Sequence, residues 1–293
     1  MAADKNSAAG AKPGAAGPPP LPRPPPWYAT LRTEPPAWIG KLLGVACILL
    51  VIAIWWFFTH GDNPVDRRIS PAKLPSPREV LAAHKIAGTD AIIDATVASL
   101  WRVIKGFGLA ALIGVSVGVI AASYRSVLAF FQPLVIFGRS VPISALLPVT
   151  FLFFGIAEKQ RVMFIFLATL PFVFSDTVKA ISLVPERYVE TAQTLGASRW
   201  QIIRKVLFPL ALPEIITGLR FMFGLAFGYI LLAETIKESK DTVGLGYLIN
   251  VNQSRSATAL PYLMLILIAV LAYLLDWTIR FFQRQAFPYR KDL

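Results

Sequence analysis

The sequence predicts an all-α membrane protein with six transmembrane helices, and three observations lead to this prediction. Hydrophobic residues make up 55% of the 293 positions and the mean hydropathy is +0.58, values typical of a polytopic membrane protein. Several long blocks carry few or no charges. The basic residues, which give a net charge of +12, lie mostly at the ends of these blocks, where lipid headgroups and membrane orientation account for them.

The composition argues against several other classes of protein. The basic residues form no run with interleaved aromatics, so nucleic-acid binding is not predicted. Cys47 is the only cysteine, which excludes a disulfide framework and a thiolate metal site. The two histidines, His60 and His84, are not at the spacing of metal ligands. The chain has no Gly-x-x-x-x-Gly-Lys-Ser/Thr segment and no serine, cysteine or carboxylate constellation for catalysis, so we predict neither enzyme activity nor a cofactor on this chain.

Residues 1–37 are predicted to form a disordered tail rich in proline, alanine and glycine, since they cannot bury a core. The proline run at 18–26 resembles a ligand for proline-recognition domains, but a spacer is the favoured interpretation. The first apolar run starts only near residue 42, so a cleavable signal peptide is not predicted.

The first transmembrane helix is predicted over residues 38–59, because Leu42–Phe58 is uncharged and tryptophans lie at both of its ends. Residues 60–98 are polar and are predicted as an extracytoplasmic segment with a short helix near Glu79–Ala87. Residues 99–283 are predicted to form the core, with five further blocks: Lys105–Ala122, Val127–Phe154, Val162–Ile181, Glu214–Leu232 and Leu260–Phe282. Residues 284–293 form the C-terminal tail.

The third block, Val127–Phe154, is too long for one straight span at roughly 1.5 Å per residue. Arg139, Pro142 and Pro148 interrupt it, which predicts a kinked or broken helix. Two other blocks carry Gly-x-x-x-Gly pairs that would let another helix approach closely: Gly114 with Gly118, and Gly224 with Gly228.

Six spans leave both termini on one side of the membrane. Basic residues precede the first span, follow the last span and occur in the loop after the fourth span, where they are Arg199, Arg204 and Lys205. The positive-inside rule therefore predicts that both termini and this loop are cytoplasmic. The 60–98 segment carries five basic and five acidic residues, which argues against this orientation, but its length reduces the weight of its charges.

The loop from Pro185 to Pro213 has the pattern of a helical hairpin. Pro185 suits the first position of a helix, and Gly196 suits the left-handed conformation that ends it. Ser198 and Gln201 form a capping-box signature for a second helix, which Pro209 and Pro213 are predicted to end. The apolar faces are predicted as Val189, Ala192 and Leu195 on the first helix and Trp200, Ile203 and Leu207 on the second. From these residues alone, an amphipathic hairpin at the membrane surface is the simplest interpretation.

The spacing within this loop resembles a known family. Glu190-Thr191-Ala192, then Gly196, then Val206-Leu207-Phe208-Pro209 is similar to the EAA loop of ABC-importer permeases, with Thr191, Val206 and Phe208 replacing the usual Ala, Ile and Leu. Further segments resemble the nitrate/sulfonate/taurine/bicarbonate-type permeases: Leu74-Pro75-Ser76-Pro77, Arg139-Ser140-Val141-Pro142, Leu147-Pro148, Phe154-Gly155-Ile156 and Gly244-Leu245-Gly246-Tyr247-Leu248.

The resemblance implies a type I ABC importer permease of the bacterial inner membrane that works as a homodimer. Two copies of a separate cytoplasmic ATPase would bind ATP and Mg, a solute-binding protein would deliver a small anion such as nitrate, taurine or another sulfonate, or bicarbonate, and no cofactor would bind this chain. The ATPase-coupling residues would be Glu190, Ala192, Gly196, Ser198, Arg199 and Pro209. Glu190 would face a basic group on the ATPase, Gly196 would allow the turn, and Pro209 would set how the second helix enters the membrane.

Arg139, Ser140, Pro142 and Asp176 are the candidates for the translocation pathway. Ionisable groups at membrane depth usually face a cavity or each other. Arg139 is therefore either an attractant for an anion or a structural residue, which pairs with Asp176 or snorkels to hold the broken helix, and these interpretations stay open.

Two other functions compete with the permease interpretation. A secondary transporter driven by an ion gradient would predict inverted repeats with paired broken helices, whereas only the third block is clearly broken. A membrane scaffold that recruits partners through its proline-rich tail would leave the EAA spacing unexplained.

Overall fold

The computed structural model describes residues 35–61, 67–236, 243–254 and 258–288, and these residues form helices joined by turns, without a β-strand among them. Most of the tail predicted over residues 1–37, part of the 60–98 segment and the end of the 284–293 tail lie outside these ranges. The chain divides into two compact units, Met1–Ile54 and Trp55–Leu293. The long apolar helix α1 (Ala37–Thr59) begins in the first unit and ends in the second.

The second unit contains the remaining helices: α2 (Pro77–Ala82), α3 (His84–Ala87), α4 (Thr89–Ser123), α5 (Arg125–Ser140), α6 (Ile143–Phe154), α7 (Glu158–Ser182), α8 (Glu186–Thr194), α9 (Arg199–Ile202), α10 (Phe208–Ala233), α11 (Leu245–Ser254) and α12 (Ala259–Ala286). Within the described residues, five helices are long and apolar enough to cross a membrane, and the bent pair α5–α6 would be a sixth span. The predicted all-helical fold with six spans is confirmed.

The third hydrophobic block is broken, as predicted, at one point. Helices α5 and α6 meet at an angle of 104°, and Val141 and Pro142 between them are extended. A proline disfavours helical backbone in the residue before it, which places the break at Val141. The other two residues named as interruptions lie inside helices, Arg139 in the last turn of α5 and Pro148 within α6.

Helix α4 begins much earlier than its apolar block. It starts at Thr89, ten residues before the predicted start of the core at residue 99, and its 35 residues make it about 52 Å long. Hydropathy alone does not predict this extension, because the first turns contain polar residues such as Asp90, Asp94 and Arg102. The helix therefore reaches beyond the hydrocarbon core, which is about 30 Å thick.

Small residues bring α4 and α7 into close contact. A Cβ atom at Gly106 would lie 2.6 Å from the carbonyl oxygen of Val162, and one at Gly118 would lie 2.9 Å from Cβ of Thr177. Gly114, midway between them in this row, is equally close to Val173. Helices in lipid associate through such packing, because the surrounding acyl chains are as apolar as the side chains.

The second predicted glycine pair does not pack in this way. No described atom lies within 4 Å of a Cβ placed at Gly224 or Gly228, and both glycines are exposed on α10. Neither residue therefore brings another helix of the described chain close to α10.

The prediction that Pro209 and Pro213 end the second hairpin helix is wrong. Residues Arg199–Ala233 form one continuous helix, in which α9 and α10 are joined by a π-helical stretch, Ile203–Leu207. The N–H of Phe208 bonds to the carbonyl of Ile203, five residues back. A proline ring normally clashes with the carbonyl four residues earlier, and the wider π turn before Pro209 relieves that clash without ending the helix.

The segment before α4 is tied to α12. Thr258 and Tyr262 donate hydrogen bonds to the carbonyls of Pro71 and Lys73.

In the same segment, the Glu79 carboxylate accepts from the Ser76 N–H and from the Arg67 guanidinium, both at 2.8 Å. Burial raises the pKa of Glu79, but these hydrogen bonds lower it by more, so the net pKa is below its usual value. The interaction stabilises the fold at neutral pH and is lost as the pH falls through the lowered pKa.

The contact between α4 and α7 predicts a difference between two neighbouring glycines. We expect Gly106→Ala to destabilise the protein by about 1–3 kcal/mol, because its Cβ would press on backbone of α7. Gly108→Ala on the same helix is the matched control, since nothing lies within 4 Å of its Cβ. Thermal unfolding of the purified protein in detergent measures both. Equal unfolding temperatures for the two variants would contradict the close contact.

Candidate coupling hairpin and charged clusters of the membrane helices

The first hairpin helix, α8, ends in a Schellman motif. The N–H of Gly196 bonds to the carbonyl of Gln193 at 2.9 Å, and the N–H of Ala197 bonds to the carbonyl of Ala192 at 3.0 Å. Gly196 has φ +79°, in the left-handed region, and nothing lies within 4 Å of a Cβ placed on it. Glycine is therefore favoured here by its backbone conformation and not by a lack of space for a side chain.

The second hairpin helix, α9, begins with a complete capping box. The Ser198 side chain accepts from the N–H of Gln201, and the Gln201 side chain accepts from the N–H of Ser198 at 2.8 Å. Only three residues, Leu195, Gly196 and Ala197, connect α8 to this cap, and hydrogen bonds fix both ends of the turn. The hairpin is rigid at its tip.

The hairpin packs on α4 and α7 through two of the three residues predicted for the apolar face of its second helix, Ile203 and Leu207. Ile203 is buried in a cluster with Val119 of α4 and Ile181 of α7. Trp200, predicted to share that face, is 60% exposed, and Ile202 is buried instead. The π-helical stretch explains the shift, because its five-residue repeat turns Ile202 and Leu207 to the same side, where both line one cavity.

The free surface of the hairpin is unusually apolar for an exposed loop. Leu195, predicted to lie on the apolar face with the half-buried Val189 and Ala192, is 81% exposed. Leu183 just before α8 and Trp200 on α9 are also exposed. Such a patch on a rigid element is typical of a surface that another protein covers.

The charged residues of the hairpin are also exposed. Glu190 lies on α8 and Arg199 at the start of α9, and within the described residues no basic side chain forms an ion pair with the Glu190 carboxylate. Pro209 is exposed at the start of α10. The structure thus places five of the six predicted coupling residues on the α8–α9 hairpin and the sixth, Pro209, at the start of α10, with the Glu190 carboxylate available to a partner.

The candidate pathway residues lie apart. Arg139 is exposed at the end of α5, with its guanidinium carbon 5.4 Å from the centre of the Phe172 ring, and the Ser140 hydroxyl donates to the carbonyl of Ile136. Asp176 is half-buried on α7 and lines a separate cavity. Arg139 and Asp176 form no ion pair in the part of the chain that is described.

The cavity that Asp176 lines is surrounded by charged side chains. They come from α12 and from the parts of α7 and α10 that lie nearer the hairpin. Its volume is about 560 Å³, and Lys179, Glu214 and Arg280 also line it. Arg220 pairs with Asp276 at 2.7 Å. Arg220 also donates to the side chain of Gln283, whose amide in turn donates to the carbonyl of Pro213 at 2.8 Å. This network ties α10 to α12 close to the hairpin.

A second charged cluster lies at the end of α10 that is farther from the hairpin. Arg102 and Glu234 are each 1% exposed and pair at 2.6 Å, and Arg102 also pairs with the half-exposed Glu158 at 2.8 Å. Ser99, also buried, donates to the Glu234 carboxylate at 2.8 Å. The cluster joins the first half of α4 and the start of α7 to the end of α10.

Apart from Asp176, the residues of both clusters are not predicted from the sequence. Arg102 and Glu234 lie beside the predicted apolar blocks and looked like ordinary charged ends, while Arg220 and Asp276 lie inside blocks that were judged by their average hydropathy. Both clusters could have been sought from the sequence, because an ionisable residue within or next to a span usually pairs with another polar group.

The chain is similar to several transport proteins. A family model described as binding-protein-dependent transport system inner membrane component matches residues 114–287. The taurine transport system permease protein TauC of Escherichia coli (strain K12) is 31% identical over 257 residues, which cover 86% of this chain and 90% of that protein. The bicarbonate transport system permease protein CmpB of Synechococcus elongatus is 30% identical over 249 residues, covering 84% and 89%. The nitrate import permease protein NrtB of Synechocystis is 29% identical over 252 residues, covering 82% and 87%.

Solved structures share the fold. An inward-facing structure of the MetNI methionine ABC transporter has a chain that matches with a TM-score of 0.59 at 22% identity, covering 67% of this chain and 96% of that one. A chain of an amino acid ABC transporter with histidines matches with a TM-score of 0.57 at 16% identity, covering 72% and 98%.

The arrangement of charges predicts which pairs are energetically coupled. In a double-mutant cycle, Arg220→Gln and Asp276→Asn should show a coupling of about 1 kcal/mol or more, because the two groups are in contact. Arg139→Gln and Asp176→Asn should be additive within about 0.5 kcal/mol, since they form no pair. Thermal unfolding in detergent gives both cycles. A coupling as large for Arg139 and Asp176 would show that they interact after all.

Proposed function

We propose, because the chain belongs to the family of binding-protein-dependent transport system inner membrane components, that it forms the translocation pathway of an ATP-driven ABC importer for a small anion. The predicted resemblance to permeases of the nitrate/sulfonate/taurine/bicarbonate type is confirmed by the relatives, and the fold is that of a type I importer permease. The protein is a multi-pass inner-membrane transport component. Its coupling to ATP and its substrate are the proposal.

The observation that carries the coupling proposal is the hairpin of α8 and α9. It is rigid, exposed and apolar at its tip, and Glu190 has no basic partner within the described chain. A separate cytoplasmic ATPase with a complementary groove and a basic group would supply what this surface lacks. Two copies of that ATPase would bind a homodimer of this chain, and ATP with Mg would bind there and not here.

The path from the hairpin into the membrane is direct. Helix α9 continues through the π stretch into α10, so a displacement of the hairpin by the ATPase would tilt a membrane helix. The buried contacts of Ile203 with α4 and α7 would transmit the same movement to the helices that hold the pathway. In this scheme, Gly196 sets the turn, and Ser198 with Gln201 fixes the start of the moving helix.

The proposed substrate class is a small anion such as taurine or another sulfonate, nitrate or bicarbonate. Relatives named for transport of these solutes support this class. Arg139 is exposed beside the bend between α5 and α6, where Ser140 and Pro142 also lie, and we assign to it the attraction of the anion. Asp176 lines the polar cavity nearer the hairpin. A solute-binding protein would deliver the anion from outside.

Coupling is tested by two changes in the hairpin, each with a matched control. Gly196→Asp forces a side chain into a left-handed backbone, at a cost of about 1 kcal/mol, and should redirect α9. Glu190→Lys reverses the charge offered to the ATPase. Both should leave the permease in the membrane and lower ATPase association at least about tenfold, as measured by pull-down and by substrate-stimulated ATP hydrolysis.

The controls make the same changes elsewhere. Gly88→Asp also alters a left-handed glycine with open space around it, but before α4. Glu186→Lys makes the same charge change one turn earlier on α8. Both controls should retain more association than the hairpin variants. Full association and stimulated hydrolysis in both Gly196→Asp and Glu190→Lys would refute the coupling role.

The proposed orientation places the hairpin and both termini in the cytoplasm. Leu195→Cys and Leu81→Cys put single thiols at residues that are 81% and 67% exposed, in a Cys47→Ala background. In intact cells an impermeant maleimide should label the Leu81→Cys variant and spare the Leu195→Cys variant until the cells are opened. The reverse pattern would invert the topology.

A further inference from the structure

We propose that Ser99, Arg102 and Glu234 hold the start of α11 in place as a latch, and that this latch opens during the transport cycle at the end of α10 opposite the hairpin. We call these three side chains, with the backbone N–H groups of Leu245 and Gly246, the α11 latch. Its place in transport rests on the proposed function, whereas its opening can be measured without the ATPase.

The contacts of the latch converge on one buried carboxylate. Glu234 accepts from Arg102 at 2.6 Å, from the Ser99 hydroxyl at 2.8 Å and from the backbone N–H of Gly246 at 3.0 Å. The Ser99 oxygen accepts in turn from the N–H of Leu245 at 3.0 Å. Glu234 and Ser99 thus satisfy two of the free N–H groups at the start of α11, where the helix dipole favours a negative charge. These backbone N–H groups thus tie the start of α11 to α4 and to the end of α10.

The glycines around Leu245 allow this close approach. The Glu234 side chain occupies the space that a Cβ at Gly244 would need. A Cβ at Gly246 would lie 2.5 Å from the carbonyl oxygen of Leu231 and 2.8 Å from Cβ of Glu234. Neither glycine has φ in the left-handed region, so the backbone conformation does not require glycine at these positions. Glycine is required because Glu234 packs so closely against them. Leu245, the first residue of α11, is then fully buried.

Buried ion pairs are a poor means of adding stability, because desolvation offsets most of their attraction. They are suited to a contact that has to form and break. Arg102 has a second carboxylate partner, Glu158, whose side chain is 46% exposed. If Glu234 moves away, Arg102 keeps a paired charge through Glu158, while Glu234 gains water. Opening therefore leaves no buried cation without a partner, which lowers its cost.

The latch and the hairpin lie at the two ends of one helix. Glu234 directly follows α10, and the continuous helix Arg199–Ala233 has 35 residues, which corresponds to a length of about 52 Å. A tilt of this helix driven at the hairpin would move Glu234 relative to Ser99 and Arg102 on α4. In the proposed orientation this end is extracytoplasmic, so the latch would hold α11 closed there until the ATPase moves the hairpin.

The test uses a thiol that only an open latch exposes. In the full permease–ATPase complex in nanodiscs, with a Cys47→Ala background, Leu245→Cys places a thiol at a residue with 0% exposure. Its rate of reaction with a maleimide reports opening. We expect Glu234→Gln and Ser99→Ala each to raise this rate at least about tenfold, which is the loss expected for one hydrogen bond to a charged group. Both should also raise ATP hydrolysis in the absence of the solute-binding protein.

Two controls separate the latch from general loosening. Glu158→Gln removes the same charge from the other partner of Arg102 and should leave the rate unchanged or lower it, because it makes Arg102 depend on Glu234. Ser116→Ala removes a hydroxyl that only bonds within α4 and should have no effect. If Glu234→Gln fails to accumulate, Ser99→Ala carries the test, since it keeps both ion pairs.

An unchanged labelling rate in the latch variants, or an equal rise in Glu158→Gln, would overturn the latch. Faster labelling with normal ATP hydrolysis and uptake would overturn its place in transport. Failure of the ATPase to bind the unmodified permease would instead refute the proposed function, and the labelling rates measured on the permease would still decide whether the latch exists.

Discussion

The fold depends on the absence of a hydrophobic force between helices that are surrounded by lipid. Acyl chains are as apolar as leucine, so helices in a bilayer associate through close packing and polar contacts. Helices α4 and α7 meet this constraint with a row of small residues that includes Gly106, Gly114 and Gly118. The backbones then approach closely enough for a Cβ on any of these glycines to overlap its neighbour. This contact provides the frame against which α10 and the hairpin pack.

Charged groups hold the ends of this frame. Arg220 and Asp276 join α10 to α12 near the hairpin, and Arg102, Glu158 and Glu234 join α4, α7 and α10 at the other end. Each cluster contains an ion pair between different helices, so a change in the tilt of α10 would rearrange contacts at both ends. Polar networks of this kind can have discrete alternative arrangements and so can carry coupling between distant sites.

The features that were predicted from the sequence involve residues close together in the chain, whereas the features that were missed join residues far apart in the chain. The capping box of Ser198, the turn at Gly196 and the break before Pro142 depend on residues within one or two turns of each other, and local chemistry predicted all three. The Arg102–Glu234 pair joins residues 132 positions apart, and no local pattern reveals it. Trp200 and Pro209 fall between these cases. Their predicted roles assumed an ordinary α-helix, whereas the π-helical stretch changes which side chains face inward and allows the helix to continue through a proline.

The π-helical stretch keeps the helix continuous from α9 into α10, and this continuity determines how the hairpin and the membrane helix move together. A helix that ended at Pro209 would let the hairpin move without moving the membrane helices, because a flexible joint absorbs displacement. The π stretch preserves the hydrogen-bonded backbone across this point, while the wider turn still permits some bending. Ile203 in the π stretch is buried against α4 and α7, so any bending there must also shift those helices. In the proposed function, force applied to the exposed hairpin would reach both the charged cluster at Arg220 and the far end at Glu234 along covalent and packed contacts, without passing through a loop.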